Sequence, residues 1–293
     1  MAPKLTPLER LRRSGIAADR ALGQNFLIDP NILDVIERTA SLTAEDVVLE
    51  VGPGLGVLTE RLLDSCGLVH CVELDRRLAV GLDEEFGGRS NYRLHLGDAM
   101  RIDLSGLAPA PTKFVANLPY NVAAPLVMRS LGKLPSVGFW CLMLQKEVAD
   151  RLFATPGGPN YGGVSVMTQL LAEKVSSRPV PPTVFYPRPR VRSSLLAFRR
   201  REGGGFAAAH FARVKAIVYA SFSHRRKKLV NGLAEAEPGL LPPALAGRSQ
   251  AECKRRLVEL LVESGLDPDA RPQELAPPRF EKLVKKMETP RHA

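Results

Sequence analysis

Short apolar runs alternate with amphipathic stretches over the first two-thirds of the chain. Val47-Val48-Leu49-Glu50-Val51, Leu68 to Leu74, Tyr92 to Leu96, residues 113–117 and Val137 to Leu144 are the runs. Their length and aliphatic content predict strands buried on both faces of a parallel sheet. Between them the apolar period lengthens. Ile32, Val35 and Ile36 share one helical face from about residue 31 to 40, behind Asp29 as cap and Pro30 at the first turn. Leu58, Leu62 and Leu63 mark the next helix, Pro125 to Leu131 another, and Lys146 to Phe153 a further one. Val164 to Val175 reads as a strand, and Ser193 to Phe198 as the last one. Strands alternating with helices predict an α/β fold with a Rossmann-like sheet. Beyond Arg199-Arg200-Arg201 and Gly203-Gly204-Gly205 the pattern is helical only. It covers Phe206 to Ser221, a helix headed by Ser223 to Lys228, Cys253 to Ser264, and Phe280 to Met287. The expected division is a basic, weakly helical arm over 1–20, an α/β domain over 21–202 and a small all-helical domain over 203–293.

Composition adds a partner to this picture. The chain of 293 residues is long for a single core and carries a net charge of +10. From Arg199 onward there are 19 Lys and Arg against 11 Asp and Glu, so the excess concentrates in the helical part. A nearly neutral α/β part with a basic tail domain suits a polyanion, and RNA is the expected one. The four cysteines form no CxxC pair and the five histidines show no ligand spacing, which predicts free thiols and no metal. No apolar run approaches the ~20 residues of a membrane span. Met1 to Arg13 holds charges without an apolar stretch, so a cytoplasmic protein is expected.

The candidate chemistry sits where strands end. Gly52-Pro53-Gly54-Leu55-Gly56 follows the first strand, and glycines there let a ligand approach the backbone. Glu73, about 20 positions on, can accept from ribose hydroxyls. The spacing is GxGxG, which favours a nucleoside over a dinucleotide. Asp98, after the third strand, can accept from an exocyclic amine. Asn117-Leu118-Pro119-Tyr120 closes the fourth strand. Its amide oxygen accepts from an amine, Pro119 adds no competing N–H, and Tyr120 offers a stacking face. Residues 157–163 form a Gly-rich loop. Val180 to Val191 is an extended, proline-stiffened loop with two aromatics and two arginines.

In this order the motifs resemble the ribosomal RNA adenine N6,N6-dimethyltransferase family, specifically its bacterial small-subunit branch. Gly23-Gln24-Asn25-Phe26-Leu27, Glu50 to Gly56, Val72-Glu73-Leu74-Asp75, Gly97-Asp98-Ala99, Asn117 to Tyr120, Val184 to Pro189 and Arg271 to Leu275 carry the resemblance over about residues 22–284. It implies S-adenosyl-L-methionine as methyl donor and a seven-stranded sheet. The family's donor-binding positions fall on Asn25, Leu27, Gly52, Glu73, Asp98 and Asn117, with Gln24, Gly54, Leu74 and Ala99 beside them. It implies a flipped adenine of 16S rRNA, in the small subunit or its precursor, held by Asn117, Leu118 and Pro119. Tyr120 and Phe185 are the candidates to sandwich that base. Arg188, Arg190, Arg225, Arg226, Lys227 and Lys228 are the candidates for phosphates, and a monomer is expected. Family members often carry Asn-Ile-Ser-Thr-Pro after the tyrosine; here Asn121-Val122-Ala123-Ala124-Pro125 lacks both hydroxyls. A large-subunit enzyme of the macrolide-resistance type and a non-catalytic ribosome-assembly factor are the rival readings. A dehydrogenase fails on the loop spacing.

Overall fold

The computed structural model describes residues 5–16, 18, 19, 22–202, 208–224, 227–235, 245 and 249–288. In chain order the elements begin α1 (Pro7–Ser14), β1 (Phe26–Leu27), α2 (Pro30–Ala40), β2 (Val47–Val51), α3 (Val57–Ser65), β3 (Leu68–Glu73), α4 (Arg76–Phe86) and β4 (Tyr92–Leu96). They continue β5 (Lys113–Asn117), α5 (Ala123–Lys133), β6 (Phe139–Gln145), α6 (Lys146–Leu152), α7 (Gly163–Leu171), β7 (Ala172–Val180), β8 (Phe185–Tyr186) and β9 (Ser193–Arg200). The last are α8 (Ala208–Phe222), α9 (Leu229–Ala234), α10 (Gln250–Glu263) and α11 (Pro277–Glu288). Among the described residues no helix is long and apolar enough to cross a membrane.

Seven strands form one sheet in the order β4-β3-β2-β5-β6-β9-β7, and β1 pairs with β8 in a separate two-stranded ribbon. The pairings from β4 to β6 are all parallel, while β9 runs antiparallel to β6. From β2 the chain builds outward to β3 and β4, then returns to add β5 and β6 on the other side. That reversal leaves a crevice at the C-terminal ends of β2 and β5, where open α/β sheets bind their ligands. Val48, Leu49, Phe114, Val115 and Trp140 are fully buried, as continuous apolar strands covered on both faces must be.

Spatially the chain forms two units: residues 1–149 with 174–200, and residues 150–173 with 201–293. The polypeptide passes between them in α6, in β7 and after Arg200. The strand expected over Val164 to Val175 is instead helix α7 followed by the start of β7. Ser165, Val166, Met167, Thr168, Leu170 and Leu171 are all buried, and half-buried Gln169 alone is too little polar surface to give the helical period away. Ser165 Oγ accepts from the Gly162 N–H at 3.1 Å and donates to the Arg151 carbonyl at 2.6 Å, fixing the helix start.

The N-terminal arm is tied to its unit by a buried cation. Thr6 and Glu9 form a reciprocal cap that starts α1. Arg10 on that helix is 5% exposed and pairs with Glu60 at 2.8 Å and Glu85 at 2.6 Å. Its guanidinium also lies 5.5 Å from the centre of the Phe86 ring. Arg10→Ala leaves two carboxylates without their cation and is expected to cost about 2 kcal/mol in urea unfolding. The exposed Arg12→Ala, on the same helix, should stay within about 0.5 kcal/mol.

Candidate active site

One cleft in the first unit collects the ends of β2, β3, β4 and β5. Gly52 follows β2 at φ +71°, a conformation costly for any residue with a Cβ. A Cβ there would lie 3.2 Å from Cγ and Cδ of Pro119, so the glycine lets two strand ends close up. Glu73 ends β3 and is 5% exposed. Its Oε1 accepts from the N–H groups of Leu74 at 2.8 Å and Asp75 at 2.9 Å. Oε2 accepts from the Gly54 N–H at 3.2 Å, joining the glycine loop to the end of β3. Burial raises the Glu73 pKa against these three bonds. A carboxylate has roughly four acceptor sites, so Oε2 keeps capacity for a hydroxyl donor.

Asp98 follows β4 and accepts from the Met100 N–H at 2.8 Å. The next loop is held by Arg129 of α5, which donates to the carbonyls of Ala99 at 3.0 Å and Ile102 at 2.5 Å. Leu74 is 53% exposed and lines the cleft, an apolar surface for a flat ring.

Asn117 ends β5 in the same cleft. Its Nδ2 donates to the Asn25 carbonyl at 3.0 Å. A carbonyl only accepts, so the amide nitrogen must face Asn25, and Oδ1 is left to accept from a group entering the cleft. Asn25 is itself held by its Nδ2 donating to the Gly23 carbonyl at 3.0 Å. Gln24 is a half-buried clip at the cleft: Nε2 donates to Asp75 at 3.1 Å and Oε1 accepts from the Asp19 N–H at 2.8 Å. Leu118 is buried, and its N–H donates to the Met143 carbonyl at 3.2 Å. The Tyr120 hydroxyl shares a hydrogen bond of 2.7 Å with Ser193 Oγ, which fixes the ring at the cleft wall. Burial pushes the Tyr120 hydroxyl pKa up. Ala123, where the family carries a hydroxyl, is fully buried at the start of α5.

The cleft thus brings together Gln24, Asn25, Leu27, Gly52, Gly54, Glu73, Leu74, Asp98, Ala99, Asn117, Leu118, Pro119 and Tyr120. It does not include Phe185, which is 1% exposed in the hydrophobic core with Phe26 and Leu27. The stacking role expected of Phe185 is therefore corrected: pairing of β8 with β1 turns Phe185 inward and leaves Tyr186 51% exposed. Arg188 and Arg190 are exposed on the following loop. Arg225 and Arg226 lie outside the described residues. Lys227 and Lys228, in the second unit, are exposed but paired with Glu235 at 3.4 Å and Asp269 at 2.6 Å.

Sequence reasoning missed one carboxyl group in the cleft, Glu50, and one that supports its wall from behind, Asp75, which accepts from Gln24. Glu50, inside β2, lines the cleft at 1% exposure, accepts from Thr59 Oγ1 at 2.7 Å, and has its pKa pushed up to about 8 by burial. Asp75 caps α4 and is held down to about 2, chiefly by its hydrogen bonds with Arg77. An acid inside an apolar strand was the signal for Glu50. The Asp-x-Arg spacing at a helix start was the signal for Asp75.

A mixed, mostly parallel sheet with a glycine loop after β2, an acid ending β3 and an Asn-Leu-Pro-Tyr turn at the strand reversal defines a Rossmann-like methyltransferase. Two solved structures share the architecture. A dimethyladenosine transferase from Plasmodium falciparum superposes with a TM-score of 0.73 at 26% identity, covering 88% of this chain and 95% of that one. The 23S rRNA methyltransferase ErmE gives 0.64 at 26% identity, covering 90% of this chain and 100% of that one. In sequence, the ribosomal RNA adenine dimethylase family model matches residues 16–241. A ribosomal RNA small subunit methyltransferase A from Rubrobacter xylanophilus is 42% identical over 268 residues, 92% of this chain and 94% of the relative. One of the same name from Kineococcus radiotolerans is 40% identical over 277 residues, 93% of this chain and 87% of the relative. The chain belongs to the ribosomal RNA adenine dimethylase family and is an rRNA adenine dimethyltransferase.

Proposed function

We propose that this enzyme transfers methyl groups from S-adenosyl-L-methionine to N6 of two adjacent adenines in a hairpin near the 3′ end of 16S rRNA. The product is N6,N6-dimethyladenosine, and the substrate is the small ribosomal subunit or its precursor, with a role in subunit biogenesis. The observation that carries the reading is the orientation of Asn117, whose Nδ2 is taken by the Asn25 carbonyl so that Oδ1 faces incoming amines. The relatives at 40% and 42% identity are named for the small subunit, which favours it over the large-subunit activity of ErmE at 26%.

The cleft residues fit the donor. Gly52 and Gly54 let a ligand lie against the backbone, Glu73 Oε2 can take a ribose hydroxyl, Asp98 can take an adenine amine, and Leu74 covers a ring face. When bound, S-adenosyl-L-methionine supplies an electrophilic methyl group carried on a sulfonium. The chain's own task is to present adenine N6. Its lone pair is delocalised into the ring and is a weak nucleophile. Asn117 Oδ1 accepts one N6 hydrogen. A backbone carbonyl at Leu118–Pro119 accepts the second; the Pro119 carbonyl already takes the Val122 N–H at 3.3 Å, which leaves the Leu118 carbonyl the freer of the two. These two acceptors set the direction of the lone pair and stabilise the positive charge that grows on N6. The N6 proton leaves after transfer, so no strong base is required. After the first methylation a single N–H remains, and one acceptor suffices to hold it for the second.

Glu73→Ala is expected to weaken donor binding by about 10- to 100-fold, since a hydrogen bond to a charged group is worth about 1.5–3 kcal/mol. Calorimetric titration with S-adenosyl-L-methionine measures this directly. An unchanged affinity would remove Glu73 from the donor site. Nucleoside analysis of rRNA after the wild-type reaction, looking for N6,N6-dimethyladenosine, tests the product.

A further inference from the structure

The loop over residues 187–192 is pinned at both ends to walls of the cleft. At one end β8 pairs with β1, with Tyr186 opposite Phe26 and Phe185 opposite Leu27. The Ile28 N–H adds a bond to the Val184 carbonyl at 2.9 Å. Phe26 and Leu27 themselves line the cleft, immediately after the Asn25 carbonyl that orients Asn117. At the other end Ser193 is fully buried, and its Oγ meets the Tyr120 hydroxyl at 2.7 Å. The Arg192 carbonyl also accepts from the Lys146 N–H at 2.8 Å. The segment between these anchors lies outside the cleft lining and is therefore tethered along its rim on the Phe26 and Tyr120 side.

What the rim displays is specific. Arg188, Arg190 and Arg192 are exposed, alternating with Pro187, Pro189 and Val191. Unlike Lys227 and Lys228, none of these arginines has a carboxylate partner among the described residues. At the head of the row stands Tyr186, 51% exposed. An exposed aromatic next to unpaired guanidinium groups is the combination that binds single-stranded nucleic acid, by stacking on bases and pairing with phosphates. A base drawn out of its stack leaves its neighbours in need of a new face.

We propose that Tyr186 is a stacking platform for a nucleotide flanking the target adenosine, with Arg188, Arg190 and Arg192 holding the phosphates on either side. This rests on the reading of the cleft as the acceptor pocket for an rRNA adenine. The residue acts on RNA binding and leaves the donor site untouched. It also accounts for why the sequence places an aromatic at each of two successive positions: Phe185 fills the core and Tyr186 faces outward.

The test compares wild type, Tyr186→Ala and Tyr186→Phe with small ribosomal subunits lacking the 3′-end dimethyl marks. Methyl transfer is followed with labelled S-adenosyl-L-methionine, and donor affinity and melting temperature are measured in parallel. Tyr186→Ala should raise the KM for subunits about tenfold, in the range of one lost base stack. Donor affinity and melting temperature should not change. Tyr186→Phe, which keeps the ring, should return the KM to within about twofold of wild type. An unchanged KM in Tyr186→Ala overturns the proposal. So does a Tyr186→Phe as impaired as Tyr186→Ala, or a loss that tracks the melting temperature. Absence of transfer by the wild type would instead overturn the small-subunit reading itself, so the two failures are distinct.

Discussion

Asn117→Ala should lower kcat for methyl transfer by about a thousandfold or more while donor binding is weakened but still measurable. Alignment of two reacting groups is worth up to about 7–11 kcal/mol, and loss of one well-placed polar contact in an active site typically costs about 10²–10³ in rate. Asn117 contributes to both effects. In the proposed reaction its Oδ1 is the acceptor that sets the direction of the amine, while its Nδ2 donates to the Asn25 carbonyl at 3.0 Å. Asn117→Asp separates the two. The carboxylate keeps acceptor oxygens but has no hydrogen to give Asn25, so it sets two acceptors against each other. It should also lose most activity, and single-turnover rates at saturating donor measure both variants. An Asn117→Asp that matches wild type would show that the bond to Asn25 does not orient the amide.

Folding stability should fall as pH rises from about 5 to 8, and Glu50→Gln should remove much of that fall. The Glu50 pKa is pushed up to about 8 by burial, opposed by hydrogen bonds from Thr59 and Cys71 and reinforced by the nearby Glu73. The unfolded chain ionises this carboxyl near its ordinary value while the folded chain holds the proton. A raised folded pKa means that the contribution is fully present below the unfolded value and is lost as pH rises to about 8. Each unit in that window costs about 1.4 kcal/mol, or about 3 kcal/mol by neutral pH. Glutamine keeps an acceptor for Thr59 Oγ1 and cannot ionise. Urea unfolding from pH 5 to 9 should show the stability of Glu50→Gln over wild type growing by about 1.4 kcal/mol per unit and levelling above pH 8. A constant difference would mean that Glu50 is ionised in the folded protein at neutral pH.

What could be read from the sequence was what short stretches determine for themselves. Gly52, Glu73, Asp98 and Asn117 each end or follow a strand of an alternating α/β pattern, and parallel strands carry their ends to one edge. Convergence on a single cleft follows from that pattern. What could not be read depends on partners far along the chain. Arg10 looks like one basic residue of a solvated arm until Glu60 and Glu85 are placed beside it. Which of Phe185 and Tyr186 faces inward depends on pairing with Phe26 and Leu27, about 160 residues away in the chain. The α7 segment shows no helical period because six of its nine residues are buried and its half-buried residues, Gly163, Val164 and Gln169, form no polar face. Glu50 sits in a strand otherwise apolar, where its neighbours Thr59 and Cys71 arrive from α3 and β3.

On the proposed reading, Asn117 presents adenines of the small subunit for dimethylation. The most direct measurement incubates the enzyme and labelled S-adenosyl-L-methionine with small subunits lacking the 3′-end dimethyl marks, with large subunits in parallel and Asn117→Ala as the blank. Label should appear on small subunits alone, recovered as N6,N6-dimethyladenosine, and be absent with Asn117→Ala. Label on large subunits instead, or equal label with Asn117→Ala, would contradict that reading.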